Sequence, residues 1–349
     1  MADNARPTLA EVAQRAGVSL ATASRVLSVG DRVVGAELRD RVFAASKELH
    51  YTPNAHAQAL ARATSSTVGV IVHDVADPYF SQIVGGVMEH ATEQGLLVMV
   101  GTTYRDPERE LAYVSALHAQ RVRAIVLAGS GFDDPEHNAA MAAELSVYRD
   151  GGGRVSAISR HNLAVDTVLP DNRGGAEAMG RALVGLGHEV IGVISGPAQL
   201  TTVRDRFTGF RDALRAAGVA LPAERVVQGD FSRDGGRVAA LRLLDQTSGV
   251  TALFALNDLM ALGALAALAE RGVKVPERIS VAGFDDIPSL RDVTPPLTTV
   301  RVPMRQLGLR GIALAVEETA AQAARTETLA TEVVLRESTR RLAAPAVPS

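Results

Sequence analysis

The sequence predicts two structural classes in series: an N-terminal all-α head of helix-turn-helix type, then an α/β core of two doubly wound subdomains. Three observations predict it. Residues 8–27, TLAEVAQRAGVSLATASRVL, read as two short helices around a glycine turn. From Val68 onward, short apolar runs alternate with longer amphipathic stretches, the pattern of parallel strands joined by crossover helices. This pattern continues for about 280 residues, more than one comfortable domain holds, and a break near His161 to Pro170 divides it into comparable halves.

In the first helix Thr8 is placed to cap, with Glu11 three residues on completing a capping box. Leu9, Val12 and Ala13 share its inner face, and Gly17 supplies the sharp turn that a residue without Cβ makes at no steric cost. Ser19 suits the cap of the second helix. At about 100° per residue, Ala23, Val26 and Leu27 fall on one side of that helix, and Leu20, Ala21, Ser24 and Arg25 on the other. An outward face of two apolar side chains, a hydroxyl and a guanidinium suits thymine methyls, phosphates and a guanine edge in a major groove. The bland alternative is an ordinary helical hairpin.

The wording of the segment, PTLAEVAQRAGVSLATASRVL, closely resembles the helix-turn-helix of the lactose-repressor/galactose-repressor family of bacterial transcription regulators. The resemblance implies DNA contacts from Thr8, Ser19, Leu20, Ala21, Thr22, Ser24 and Arg25. Leu38, Val42, Ala45 and Leu49 mark a third helix over the first two, entered at Gly35, where many relatives carry a capping Ser or Thr.

Residues 51–67 read by composition as a linker too short to hold a helix alone. By resemblance they are a hinge helix that orders on the operator, with Asn54 and Ala57 at the DNA and Leu60 as a minor-groove wedge. Strands are expected over 68–72, 97–100, 124–127, 155–158, 190–194, 252–255 and 279–283. Helices are expected over 79–93, 107–119, 134–148, 173–186, 205–217, 233–244 and 258–271. The core resembles the type I periplasmic-binding-protein fold, whose chain crosses three times between subdomains. The expected division is a head at 1–50, a hinge at 51–67, and a core at 68–340. Within the core, one subdomain holds 68–162 and 297–325, the other 163–296 and 326–340, and 341–349 form a flexible tail.

Parallel sheets bind ligands at the carboxyl ends of their strands, so those ends come first. They supply Asp77, Tyr79 and Phe80, then Arg160, Asn257 and Asp285, with Arg206 at the start of another helix. Carboxylate, amide and guanidinium make paired hydrogen bonds to adjacent hydroxyls, and aromatic rings cover the apolar face of a sugar ring, which makes a saccharide the expected effector. VADPYF, RFTGF, ALNDLMALGAL and VAGFDDIPSLRDVTPPLTTVR resemble the same family's effector core and select Phe80, Arg206, Asn257 and Asp285. Competing roles exist: Asp77, Asn257 and Asp258 also stand where helices need caps, and Tyr79 or Phe80 where a hydrophobic staple would pack. His73 departs from the proline of many relatives.

Composition narrows the remaining classes. With 349 residues, 47% of them hydrophobic, the chain can bury sizeable cores. It has no cysteine, which excludes a disulfide framework, a thiolate metal site and a cysteine nucleophile and fits a reducing cytoplasm. Net charge is -3 overall, with eight basic against six acidic residues in 1–62, so charge alone marks no DNA binder. No leader pattern, long apolar span, P-loop, G-x-S-x-G elbow or HExxH motif occurs. Gly185-Leu186-Gly187 precedes a strand where a dinucleotide fingerprint must follow one. The expectation is therefore a non-enzymatic, cytoplasmic, nucleoid-associated regulator without metal or cofactor. It binds a pseudo-palindromic operator as a homodimer. A sugar-uptake binding protein is the alternative, which the core alone would permit.

Overall fold

The structure, a computed structural model, describes residues 7–27, 34–52, 65–317 and 323–342. It divides into two compact units, Met1–Ser66 and Thr67–Ser349.

In the first unit, α1 spans Leu9–Ala16, α2 Leu20–Leu27 and α3 Ala36–Glu48. The expected capping box is formed: Glu11 N–H donates to Thr8 Oγ1 at 3.3 Å, and Thr8 N–H to Glu11 Oε2 at 2.7 Å. Gly17 takes the left-handed conformation (φ 64°) and returns its N–H to α1. Ser19 Oγ accepts the N–H of Thr22 at 3.1 Å. Val12, Ala13, Ala16, Ala23, Val26, Val42 and Ala45 form the core, with Leu9, Leu27, Leu49 and Tyr51 packed at its edge. Gly35 gives α3 no side-chain cap. Leu38, expected to face this core, is 38% exposed and outside it. The hinge positions Asn54, Ala57 and Leu60 lie outside the described residues.

The second unit holds two parallel sheets. The first is built from β1 (Thr67–Val72), β2 (Leu97–Thr102), β3 (Ala124–Ala128), β4 (Arg154–Ile158) and β5 (Asp166–Pro170). Helices α4 (Pro78–Glu93), α5 (Pro107–Ala119) and α6 (Pro135–Asp150) connect them. Proline at the first helical position and an aspartate cap, Asp77, Asp106 or Asp134, start all three. The chain then makes α7 (Asn172–Gly185), β6 (Ile191–Ser195), α8 (Thr201–Ala216), β7 (Val226–Gln228), α9 (Arg233–Gln246), β8 (Ala252–Ala255), α10 (Asp258–Glu270) and β9 (Ser280–Ala282). The second sheet has the order β7-β6-β8-β9.

After β10 (Thr299–Arg301), helix α11 (Met304–Val316) packs on α4, and β11 (Thr326–Leu329) pairs with β5 at the edge of the first sheet. Its order is therefore β11-β5-β4-β3-β1-β2. Strand β12 (Glu332–Val334) then pairs with β10 antiparallel.

These pairings move all three expected subdomain boundaries. The chain leaves the first sheet after Pro170, not at 162, because the expected break is strand β5. Its DTVLP sequence is polar at the start and ends in proline, which cannot donate to the ladder and so weakens the strand signal. The return falls between Arg301 and Met304, since Thr298, just before β10, still bridges to Ala282 of the second sheet's β9. The last crossing follows Leu329, since TETL of β11 is a half-exposed edge strand with little apolar signal.

Glycines let the helix pairs approach. A Cβ at Gly86 of α4 would meet the Arg305 carbonyl, and one at Gly308 of α11 the Ile83 carbonyl. Helices α7 and α8 meet likewise at Gly209, and α9 and α10 at Gly236 and Gly263. Buried side chains from both sheets merge into one large core running from Val68 to Ala315, while Ile71, Ile125, Leu127 and Val155 of the first sheet pack with α5 and α6 in a separate cluster.

Candidate functional site

A cavity lies where the carboxyl ends of both sheets converge, the place at which open parallel sheets take their ligands. After β1 come His73, Asp77, Tyr79 and Phe80; after β2 comes Arg105; after β3 come Gly129 and Ser130; after β4 comes Ser159. The second sheet contributes Leu200, Thr202 and Arg206 of the β6–α8 region, Phe231 after β7, Asn257 after β8 and Asp285 after β9. Six of the seven expected effector residues, Asp77, Tyr79, Phe80, Arg206, Asn257 and Asp285, thus line one cavity.

Arg160 does not. Ser159 has a positive φ of 77°, which turns its own side chain to the cavity and sends Arg160 outward. The Arg160 guanidinium is half exposed and bonds Asp205 at 3.2 Å. Only its carbonyl serves the site's frame, accepting the Thr201 hydroxyl at 2.6 Å.

Arg206 is the best-held group. Its side chain is 3% exposed. Nε donates to Asn172 Oδ1 at 2.9 Å, Nη1 to the Leu256 carbonyl at 2.6 Å, and Nη2 to Asp285 Oδ1 at 2.8 Å. The Phe284 ring lies 3.9 Å from the guanidinium carbon, a cation–π contact strengthened by burial. Burial pushes the Asp285 carboxyl well above the usual carboxylate range, and Arg206 pulls it back. Asp285 also holds φ at 126°, a conformation that costs energy for a non-glycine residue and collects at functional sites.

The competing capping roles are real and coexist with cavity lining. Asp77 Oδ1 accepts the Tyr79 N–H at 2.9 Å, and Asn257 Oδ1 the Met260 N–H at 2.9 Å while its amide donates to the Phe231 carbonyl at 3.1 Å. Asp77 keeps its Oδ2, and the Asn257 amide its second hydrogen, for a ligand. Asp258 does not cap: it is fully buried, accepting the Thr299 hydroxyl at 2.6 Å and the Ile287 N–H at 3.0 Å. Burial raises its pKa to about 6.

Tyr79 and Phe80 pack edge to face, with centroids 5.0 Å apart. His73 is buried, accepts the Ser130 N–H on Nε2 at 3.0 Å, and meets Thr103 Oγ1 through Nδ1 at 3.2 Å. Burial lowers its pKa to about 4, so the ring is a neutral wall of the cavity.

Sequence reasoning missed Arg105, Ser130, Ser159, Leu200, Thr202 and Phe231 as lining residues. Arg105 and Ser130 follow recognised strands, so the strand-end rule applied at every strand finds them. Phe231 follows β7, three residues too short to show a period.

On the first unit, Ser19, Leu20, Ala21 and Arg25 are exposed, Leu20 at 54%, and Thr22 and Ser24 are half-buried. Arg25 Nε rests on the Ala21 carbonyl at 3.2 Å. Thr8 is exposed beside them in sequence but engaged with Glu11. Among the described residues no cluster of three metal-ligating side chains occurs and no helix is long and apolar enough to cross a membrane.

Comparison with known proteins separates the two units. Residues 8–54 match the family described as bacterial regulatory proteins, lacI family, and residues 181–339 match the periplasmic binding protein-like domain. The HTH-type transcriptional regulator GalS of Salmonella typhimurium is 36% identical over 312 residues, covering 89% of each chain. The lac repressor dimer bound to operator and the anti-inducer ONPF is 30% identical, with a TM-score of 0.83 over 96% of this chain and all of the other. A complex of the transcriptional regulator CelR with cellobiose is 32% identical, with a TM-score of 0.71 over 95% of this chain and all of the other. These relatives are transcriptional regulators, and residues 8–54 match the lacI family of regulatory proteins.

Proposed function

The chain belongs to the lacI family of bacterial regulatory proteins and is a DNA-binding transcriptional regulator; from that premise we propose that it is a repressor released or engaged by a saccharide. The observation that carries the proposal is the buried Arg206–Asp285 pair set between two sheets at their strand ends. A fixed guanidinium and carboxylate, with the Asn257 amide and the Asp77 carboxylate on the same cavity, can bind adjacent hydroxyls, and Tyr79, Phe80 and Phe231 offer ring faces. CelR, solved with cellobiose, supports the ligand class.

The DNA side of the proposal uses the outward face of α2. Leu20, Ala21 and Arg25 read bases and phosphates, with Thr8, Ser19, Thr22 and Ser24 around them. Residues 51–67 serve as the hinge, with Asn54, Ala57 and Leu60 at the minor groove. One small head covers only a half-site, so a two-fold homodimer on a pseudo-palindrome follows. The exposed apolar side chains Leu97, Met99 and Val100 of edge strand β2, with Met88 of α4, support a partner copy there. The reading places the protein in the cytoplasm, at the nucleoid, with no cofactor besides the effector.

The test is fluorescence anisotropy of a labelled duplex from the protein's own upstream region, titrated across salt concentrations with and without a panel of sugars. Salt-sensitive, sequence-selective binding shifted by one sugar is expected. Sequence-selective DNA binding that no sugar shifts removes the saccharide.

A further inference from the structure

Arg105 is held differently from Arg206. Every nitrogen of Arg206 has an acceptor: Asn172, the Leu256 carbonyl and Asp285. Arg105 Nε is buried and meets no acceptor among the described residues. Its ion-pair contact, from Nη2 to Asp77 Oδ2, is 3.9 Å, too long for a hydrogen bond. Asp77 caps α4 through its other oxygen, Oδ1. The guanidinium carbon lies 5.4 Å from the centroid of Phe231, so an aromatic ring from the second sheet's side stands against it.

The backbone is shaped to keep Arg105 there. Tyr104 and Arg105 hold φ at 54° and 63°, each at a cost that a side chain bound for solvent would not require. Three bonds pin this turn to the cavity wall: Tyr104 N–H to the His73 carbonyl at 2.6 Å, Arg105 N–H to Thr103 Oγ1 at 3.3 Å, and Thr103 Oγ1 with His73 Nδ1 at 3.2 Å. Strain and fixation therefore converge on a donor that the protein itself does not satisfy.

We propose that Arg105 is a specificity-determining residue of the effector site, its guanidinium edge receiving a pair of adjacent ligand oxygens. This rests on the saccharide reading above and narrows it to ligands that present a carboxylate edge or a vicinal diol at that point. The guanidinium fork matches two neighbouring oxygens better than one. A buried donor left without an acceptor is costly, so a ligand lacking the oxygen pair is rejected more strongly than a matching one is favoured. Burial disfavours the Arg105 cation, with Asp77 opposing, so an acidic ligand group would stabilise it further.

The experiment is calorimetric titration of the full chain with glucose, galactose and cellobiose, and with glucuronate and galacturonate. Wild type, Arg105→Gln and Arg105→Lys are compared, with melting temperatures measured alongside. The sugar that binds wild type is expected to lose affinity on the order of 10- to 100-fold in Arg105→Gln. Arg105→Lys keeps the charge beside Asp77 without the fork. It should recover part of the affinity for a uronate and little for a neutral diol, which tells the two sources apart, and it stands in if the glutamine variant does not fold. Unchanged affinity in both variants overturns the role of Arg105 and leaves the saccharide reading standing. A wild-type protein that binds no member of the panel overturns both.

Discussion

Ser130 caps a helix that belongs to the other sheet. Its Oγ, just past strand β3, accepts the backbone N–H of Thr202 at 3.0 Å in the first turn of α8. The helix's own cap residue, Leu200, has no side chain able to do this. Thr201 adds bonds in the same direction, from its N–H to the Gly131 carbonyl at 3.0 Å and from its hydroxyl to the Arg160 carbonyl. The two halves of the core are thus joined beside the cavity, on the helix that carries Arg206.

Ser130→Ala should cost about 1 kcal/mol of stability, the usual worth of a cap. It should weaken effector binding about fivefold, because separation of the sheets no longer uncaps anything. Ser130→Thr, which keeps the hydroxyl, should bind as wild type. Equal affinity in all three proteins by calorimetry would show that the contact does not favour the closed cavity.

Asp285→Ala leaves Arg206 buried without its anion. Removing one partner of a buried pair costs about 3–5 kcal/mol, so denaturant unfolding of the core should shift strongly and the effector response of operator binding should vanish. Operator binding without effector should persist, since the first unit has its own core. A normal response would displace Asp285 from the ligand.

The pH dependence of stability should reflect two opposed groups. Burial holds His73 at about 4 rather than 6.5. As pH falls from 6.5 toward 4 the unfolded chain takes up a proton that the folded ring refuses, and stability falls. Burial lifts Asp258 from 3.8 to about 6, so the folded state holds the extra proton in that window and stability instead drops as pH rises through it. Unfolding free energies between about pH 4 and 7 should lose less on acidification in His73→Gln and more in Asp258→Asn. Parallel profiles for the three proteins would contradict both assignments.

On the DNA side, Leu20→Ala and Arg25→Ala remove exposed atoms and should leave the melting temperature unchanged. Each should weaken specific operator binding by about 1–3 kcal/mol. Arg25→Ala should also flatten the salt dependence if it contacts phosphate rather than a base. Anisotropy across a salt series distinguishes these outcomes.

Two glycines of neighbouring helices make a paired test of packing. A methyl at Gly308 meets the Ile83 carbonyl and Val87 N–H of α4, so Gly308→Ala should destabilise by about 1–3 kcal/mol. A methyl at Gly85 meets nothing within 4 Å, so Gly85→Ala should stabilise by about 0.5–1 kcal/mol. Urea midpoints should move in opposite directions.

Much of this was legible along the chain because its signals are local. The capping box at Thr8 and Glu11, the turn at Gly17 and the aspartate–proline starts of α4, α5 and α6 each lie within four residues. Period and caps therefore determined the head, the alternation of strand and helix, and the strand ends that supply Asp77, Asn257 and Asp285. Local signals start helix α8 four residues late, at 205 instead of Thr201, because its cap comes from Ser130, 72 positions from Thr202.

What only the tertiary structure decided has the same physical origin: it depends on pairings that no local pattern encodes. Strand β5 is a strand because β4 and β11 flank it, not because DTVLP is apolar. Arg160 and Arg105 both follow strand ends and look alike in sequence, yet the left-handed turn at Ser159 sends one to Asp205, and the turn at Tyr104, tied to His73, brings the other to the cavity. The sequence determined which chemical groups stand at the strand ends; backbone conformation and cross-sheet hydrogen bonds decided which of them face one another.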